Sequence, residues 1–313
     1  MNLQTLPTKA RDSSTTDSVF PGITIAYVNA HIDKIHYGRE SSGAKNTFEI
    51  HHCREGRIEC SISGKYIYLS PGDLLLVKAE KMGPELSFPL RHCHGIVIRI
   101  DVHAAPKCLS CFLEDVRVSP GYIAEKFCEE KGYFIARSNP SVEHIFSELY
   151  RVPERIRRGY SKIKILELML FLSVLEKEED HAKICSPTQA SLAKTVAEYL
   201  GSNMEEKLTL EQAAQKFHTS QTNIKSAFRA VYGVPFYSFV KAQKMESAAY
   251  MLEHTDKTIT EIANEHGYDN SGKFSSAFRA IKGVTPSCYR GTCKTIHAPG
   301  RIHDKKEELG NDS

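Results

Sequence analysis

Two short segments carry side chains suited to binding a metal or an organic effector. His51 and Cys53 are two residues apart, as are His92 and His94, and alternate residues of an extended chain share a face. Imidazole and thiolate suit zinc, iron or copper, so the two pairs form a candidate effector or metal site, with His52 and Cys93 turned the other way. The competing reading is that His and Cys fill half-buried strand positions without a ligand; no regular spacing supplies the further ligands of a metal centre. Arg57 is a candidate receiver of an anionic effector, and Arg54 and Glu55 a solvated pair at a turn. Cys108 and Cys111 have CxxC spacing but lack the extra ligands of a zinc site and the strand-then-helix setting of a redox pair, so the spacing reads as coincidence. Nine cysteines, an odd number spread over 313 residues, are expected to stay reduced. No catalytic set emerges.

A second constellation is polar and basic: Gln221, Thr222, Asn223, Lys225, Ser226 and Arg229, then Ser271, Gly272, Lys273, Ser275, Ser276 and Arg279. It lies in a duplicated segment. Residues 209–234 laid over 259–284 at an offset of 50, without a gap, leave nine identical positions, among them Glu211/Glu261, Ala213/Ala263 and Ser-Ala-Phe-Arg-Ala-x-x-Gly-Val twice. Each copy reads as a short helix, a tight polar turn and a second helix. In the second helices Ile224, Ala227, Phe228 and Val231, or Phe274, Ala277, Phe278 and Ile281, stand at i, i+3, i+4 and i+7 and predict an inward apolar stripe. That anatomy is a helix-turn-helix, whose second helix fits a DNA major groove roughly 12 Å wide. For either copy alone, plain solvation explains the polar face as well. Between the copies, residues 235–252 predict one long helix, suited to holding two recognition helices about 34 Å apart, one turn of DNA.

The elements that must position these residues follow from pattern. An α+β chain is expected: a flexible arm at 1–19, a domain at 20–178 with short strands through about residue 135 and helices at 141–178, a linker at 179–187, an all-α domain at 188–291 and a flexible tail at 292–313. The Ile-, Val- and Tyr-rich runs before residue 135 argue for a β-sandwich or small barrel. The helix expected at 161–177 is apolar nearly all round, which leaves open whether it covers a partner subunit or is buried in its own chain. The composition, 41% hydrophobic and 25% charged, excludes disorder along the whole length, and a net charge of +3 advertises no polyanionic partner. The longest apolar stretch, 163–175, contains Glu167 and falls short of the roughly 18 residues of a membrane span. With a polar start and no secretory core, a cytoplasmic location is expected.

Between about Thr188 and Arg290 the sequence resembles the AraC/XylS family of bacterial transcription regulators. The resemblance is carried by Leu210-Glu211-Gln212-Ala213-Ala214, Ser220, Ile224, Phe228-Arg229, Gly233-Val234, Ala248, Ile259 and Ile262-Ala263. Gly267-Tyr268, Phe274-Ser275, Phe278-Arg279, Gly283-Val284-Thr285-Pro286 and Tyr289-Arg290 complete it. It implies two helix-turn-helix units joined by a helix on double-stranded promoter DNA, and an N-terminal cupin-like domain for effector binding and dimerisation, hence a homodimer with RNA polymerase as a further partner. The segment 49–57 with Ser70-Pro71-Gly72-Asp73 looks like the siderophore-responsive branch, which implies an iron chelate as effector. Two features depart from the pattern: Ser226 and Ser276 stand where a long base-reading side chain is common, and the commonly basic position of the connecting helix is Lys244. Base reading then falls to Asn223, Lys225 and Lys273 or to DNA shape. Residues 188–291 hold 12 Lys and Arg against 10 Asp and Glu, so phosphate attraction for one copy is modest.

The expected function is a ligand-responsive regulator without catalysis. A cupin-type metal enzyme or metal sensor using the His/Cys strands is the alternative. A DNA alkyl-repair protein would need a Pro-Cys-His-Arg run, absent here, and an architectural DNA binder would leave the first domain without a use.

Overall fold

The β-branched and aromatic runs of the first half form ten strands in the computed structural model, which describes residues 15–36, 46–107, 109, 118–137, 140–177 and 185–297. The strands are β1 (Thr15–Phe20), β2 (Ile23–Ala30), β3 (Lys34–His36), β4 (Thr47–Gly56), β5 (Ile58–Ile62), β6 (Lys65–Leu69), β7 (Leu74–Lys78), β8 (Met82–Ser87), β9 (Cys93–Asp101) and β10 (Tyr133–Ala136). A six-stranded sheet runs β1-β2-β9-β4-β7-β10 and a four-stranded sheet β3-β8-β5-β6. Every pairing is antiparallel. The α-helices among the described residues are α1 (Pro120–Cys128), α2 (Pro140–Arg151), α3 (Glu154–Val174), α4 (Pro187–Ser202), α5 (Leu210–Lys216), α6 (Gln221–Tyr232), α7 (Phe236–His254), α8 (Ile259–Glu265), α9 (Ser271–Lys282) and α10 (Pro286–His297). The chain divides into two units, residues 1–194 with 222–234, and residues 195–221 with 235–313.

In the first unit strand alternation sorts side chains into two cores. Phe48, Ile50, Leu74, Leu76, Ile96, Ile98 and Ile100 leave one face of the six-stranded sheet and meet Ile123, Phe146, Leu149, Ile165, Leu168 and Leu172 of α1 to α3. From the opposite face Cys53, Leu75, Val77 and Cys93 meet Cys60, Ile62, Ile67, Leu69 and Leu86 of the smaller sheet. The apolar helix divides into two faces. Ile165, Leu168, Met169 and Leu172 of α3 are buried in their own chain, whereas Ile156, Ile163 and Val174 are 51%, 60% and 72% exposed. Its one buried cation, Lys164, is held by Glu148 and by Glu167 at 2.7 Å. Burial alone would lower its pKa; the two carboxylates outweigh that and raise it.

Three boundaries differ from the pattern. Residues 15–19, expected in the arm, belong to β1, because Thr15 to Phe20 complete a ladder with β2 (Thr15 opposite Tyr27). Within the expected linker, Cys185 bridges to Tyr66 and Pro187 opens α4, the first-turn position that proline suits. At the end, α10 continues to His297 past the expected start of the tail. The expectations for residues 1–14, 179–184 and 298–313 and for the Cys108/Cys111 pair lie outside the described residues.

In the second unit Met245, Ala248, Ala249 and Leu252 of α7 pack with Ile262 and Ala263 of α8 and with Phe274, Ala277 and Phe278 of α9. His266, which closes α8, is 1% exposed. Its Nδ1–H donates to the Ile262 carbonyl at 2.7 Å, while Nε2 is buried without a hydrogen bond among the described residues. Burial lowers its pKa from the ordinary 6.5, against a weaker upward pull from the Ile262 carbonyl and Glu265. A depressed folded-state pKa contributes stability above the unfolded value that is lost as pH falls through the folded one. Thermal melts from pH 7.5 to about 5 are therefore expected to show the second unit losing stability on acidification. His266→Asn, which keeps a donor for Ile262 but cannot titrate, should lose less; an identical acid response would assign the titration elsewhere.

Candidate nucleic-acid interface

Each short helix of the duplicated segment is opened by a reciprocal cap. Thr209 accepts from the Gln212 backbone N–H while Gln212 returns the bond to Thr209 N–H, and Thr258 and Glu261 do the same for α8. These caps, 49 residues apart rather than 50, correct the gapless alignment. Phe217 and His266 close the two helices with near-identical backbone angles, followed by His218 at φ +49° and Gly267 at φ +72°. Thr219 N–H donates to Ala214 O and Tyr268 N–H to Ala263 O, both at 2.9 Å. The second turn therefore holds one extra residue, after which α6 and α9 run at an offset of 50. Glu211/Glu261 and Ala213/Ala263 are identical letters in non-equivalent places; the run from Ser226/Ser276 to Val234/Val284 is equivalent.

Helix spacing then fixes which side chains face out. Ile224, Ala227, Phe228 and Val231 of α6 and Phe274, Ala277 and Phe278 of α9 are buried, but Ile281, expected in the same stripe, is 38% exposed, so the second stripe ends a turn early. Gln221, Thr222, Asn223, Lys225, Ser226 and Arg229 are exposed on α6; Ser271, Gly272, Lys273, Ser276 and Arg279 are exposed on α9, with Ser275 half-buried. Asn270 caps α9 by accepting from Gly272 N–H at 2.7 Å and Lys273 N–H at 3.1 Å, which leaves the Lys273 side chain free of any part in holding the helix. Lys225, Arg229, Lys273 and Arg279 make no ion pair within 4.0 Å among the described residues. Asp269, at the turn before α9, is paired with Lys207, which lowers its pKa. Each polar face thus presents two unneutralised cations beside small hydroxyl and amide groups, a pattern suited to phosphate oxygens and base edges.

The effector candidates do not converge. His51 is buried with Nε2 2.9 Å from Glu49 Oε2, and Glu49 Oε1 accepts from Arg99 Nε at 2.7 Å. Cys53 is buried, and the neighbouring Cys93 thiol, burial and Asp73 push its own thiol far up, so it stays protonated. His92 is not in a strand, since β9 begins at Cys93; its Nδ1 faces Leu90 O at 3.0 Å. His94 is half-exposed beside His31 (3.5 Å) and Glu55 (3.3 Å). Register separates the pairs: His51 opposes Val97, whereas His94 opposes Glu55. Among the described residues no group of three or more His, Cys, Asp or Glu is placed to hold a metal ion. Arg54 and Glu55 do form the exposed pair, at 3.4 Å. Arg57 is 7% exposed and bonded to α6.

Two residues that the pattern left without a role prove central. His52 is stacked on Phe146 with ring centres 4.0 Å apart and bonds Glu143 at 3.1 Å and Tyr150 at 3.2 Å, tying β4 to α2. Lys244 is buried and donates to the carbonyls of Glu206 and His266, each at 3.0 Å, so this basic position of the connecting helix serves the fold.

A family model described as a helix-turn-helix domain matches residues 213–292. The Transposon Tn10 TetD protein of Escherichia coli is 33% identical over 100 residues, 32% of this chain and 72% of TetD. The HTH-type transcriptional regulator YdiP of Escherichia coli (strain K12) is 33% identical over 111 residues, 36% of this chain and 37% of YdiP. The chain therefore spans well under two thirds of YdiP, and only 13% of a Staphylococcus aureus (strain COL) relative. Among solved structures, the C-terminal domain of AraT, a response regulator from Geobacillus stearothermophilus, is 28% identical, with 40% of this chain and 97% of that chain covered and a TM-score of 0.33. No helix among the described residues is long and apolar enough to cross a membrane. The duplicated helix-turn-helix, the matching domain model and the identity to TetD over 72% of its length lead to one conclusion: the chain belongs to the AraC/XylS family of helix-turn-helix regulators.

Proposed function

We propose that the chain is a sequence-specific transcription regulator that acts in the cytoplasm, places α6 and α9 in successive major grooves of promoter DNA, and responds to a small-molecule effector. The observation that carries this reading is the duplicated second helix with its exposed Lys225/Arg229 and Lys273/Arg279 faces. Gln221, Thr222, Asn223 and Ser226, with Ser271, Gly272, Ser275 and Ser276, are the proposed remaining contacts, and long-armed reading falls to the lysines and Asn223. The exposed apolar face of α3 (Ile156, Ile163, Val174) supports a homodimer, and RNA polymerase is the proposed partner at promoters. No catalysis is assigned. Within the sandwich, Glu49, His51 and Arg99 form a polar group between the sheets, and this supports effector binding by the first unit.

Genome-wide footprinting of the native protein tests the reading: discrete promoter sites are expected, and diffuse occupancy would contradict it. On a site so found, Lys273→Ala is expected to weaken binding roughly tenfold, since one good base contact gives about 1–3 kcal/mol. If Lys273 instead reaches a phosphate, the slope of log K against log salt should fall by about 0.9. The melting temperature should not change. Unaltered affinity and salt slope would remove the α9 face from the interface.

A further inference from the structure

We propose that the cleft lined by Arg57, Tyr68, Asp73, Arg137, Ser226 and Arg229 binds a small organic anion, a carboxylate or a phosphate ester, whose presence is read by α6. Its volume of about 650 Å³ is that of a metabolite-sized site, and its charge is unbalanced. Three guanidinium groups face one carboxylate, Asp73, which is already engaged by Arg137 and by the Ser70 backbone N–H at 2.7 Å. The nearby Glu59 is paired with Lys194 at 2.6 Å. Arg57, although buried, is held by neutral groups: Nε donates to Val231 O and Nη1 to Ser70 Oγ, both at 2.6 Å, and Nη2 donates to Ala230 O. Its guanidinium lies 5.6 Å from the centre of the Tyr68 ring, whose buried hydroxyl lies beside the Glu59 carboxylate. Among the described residues the only carboxylate that offsets the burial of Arg57 is Asp73, which it shares with Arg137, a costly arrangement for a buried cation, and Arg229 brings a further cation to the same space. An oxyanion there would neutralise the cluster and accept from the guanidinium groups and the Ser226 hydroxyl.

The coupling to α6 is direct. Arg57 caps the last carbonyls of that helix, where a cation complements the helix dipole. It can approach because Gly233 has no side chain: a Cβ there would lie 2.8 Å from Arg57 Nη1, on a backbone at φ +75°. An anion drawn to Arg57 therefore competes with the end of a recognition helix. Ser226 and Arg229 line the cleft and also belong to the DNA-reading face, so on the regulator reading above anion and DNA compete for them.

The test is hydrogen–deuterium exchange on the full chain at constant ionic strength, with about 10 mM inorganic phosphate, citrate or hexanoate, and glycerol and hexanol as neutral controls; a site with a Kd near 1 mM would be mostly filled. At least one anion is expected to slow exchange at residues 222–234, and phosphate against carboxylate distinguishes the two chemistries. Arg137→Gln should raise the concentration needed about tenfold; if that variant fails to fold, Gln189→Leu, at the same cleft, replaces it. Absence of protection by all three anions, equal protection by the neutral controls, or protection unchanged in a folded variant overturns the proposal. Anion protection in a chain that binds no DNA would sink the regulator reading alone, and DNA binding without anion protection would sink this one alone.

Discussion

Phe278→Ala is expected to cost the second unit about 3–5 kcal/mol, the range for emptying a buried phenylalanine site, and to lower its melting temperature by about 10 °C or more. Phe278 is fully buried among Met245, Ala248, Leu252, Ile262 and Ala263. Its ring lies 5.9 Å from Phe274 and 5.4 Å from Tyr289, centre to centre, the latter edge-on, so truncation also removes two aromatic contacts. The surrounding alanines cannot collapse into the space. Domain stabilities are of order 5–15 kcal/mol, so the loss is a large share of the total. Differential scanning calorimetry of the full chain should show the transition of the second unit shifted, with DNA binding lost in proportion to unfolding. A preserved melting temperature with DNA binding abolished would mean that Phe278 faces outward, and the inward stripe of α9 would be wrong. Phe228 holds the equivalent place in α6, with its ring 5.2 Å from Tyr232.

That stripe was legible because helical period 3.6 leaves little choice once Phe274, Ala277 and Phe278 are aligned with Ile224, Ala227 and Phe228. The short helices were misaligned by one residue for an equally local reason. Two chance identities, at 211/261 and 213/263, outweighed the cap signal, although Thr209-x-x-Gln212 and Thr258-x-x-Glu261 were both readable as capping boxes. Alternation placed His51 and Cys53 on one strand face, but both faces of β4 are buried from Thr47 to Cys53, so burial does not tell the faces apart. What they meet depends on pairing register, which no local pattern carries: His51 lies opposite Val97 because β4 and β9 align that way. The same holds for contacts between distant segments. His52 finds Glu143 across 91 positions and Arg57 finds Val231 across 174, and neither is visible in composition or period. The apolar surplus of α3 was legible, but its division between a buried and an exposed face required the sheet beneath it.

Lys244→Met carries the second large effect, a loss expected at about 2–4 kcal/mol. The ammonium closes two chain segments, donating to Glu206 O and His266 O at 3.0 Å each. Leaving a buried carbonyl unsatisfied costs about 1–3 kcal/mol, and two are left; methionine recovers part by sparing the desolvation of a charge. The site is tight. A Cβ on Gly267 would sit 2.7 Å from Glu205 O and 3.2 Å from Lys244 Nζ, so the turn before α9 is built around this amine and cannot refill the gap with its own side chain. Burial lowers the pKa of Lys244 below the ordinary 10.5, with Lys207 adding to the shift. The folded state therefore releases this proton at a lower pH than the unfolded chain, and stability from this group rises as pH climbs through the lowered pKa toward 10.5. Urea unfolding at neutral and alkaline pH separates the two roles. The variant should be less stable at pH 7, and the gap to wild type should widen as pH rises, because only the native lysine gains. A variant as stable as wild type at pH 7, with no pH-dependent gap, would show that the two carbonyls find water or other donors and that Lys244 is not the clamp of the second unit.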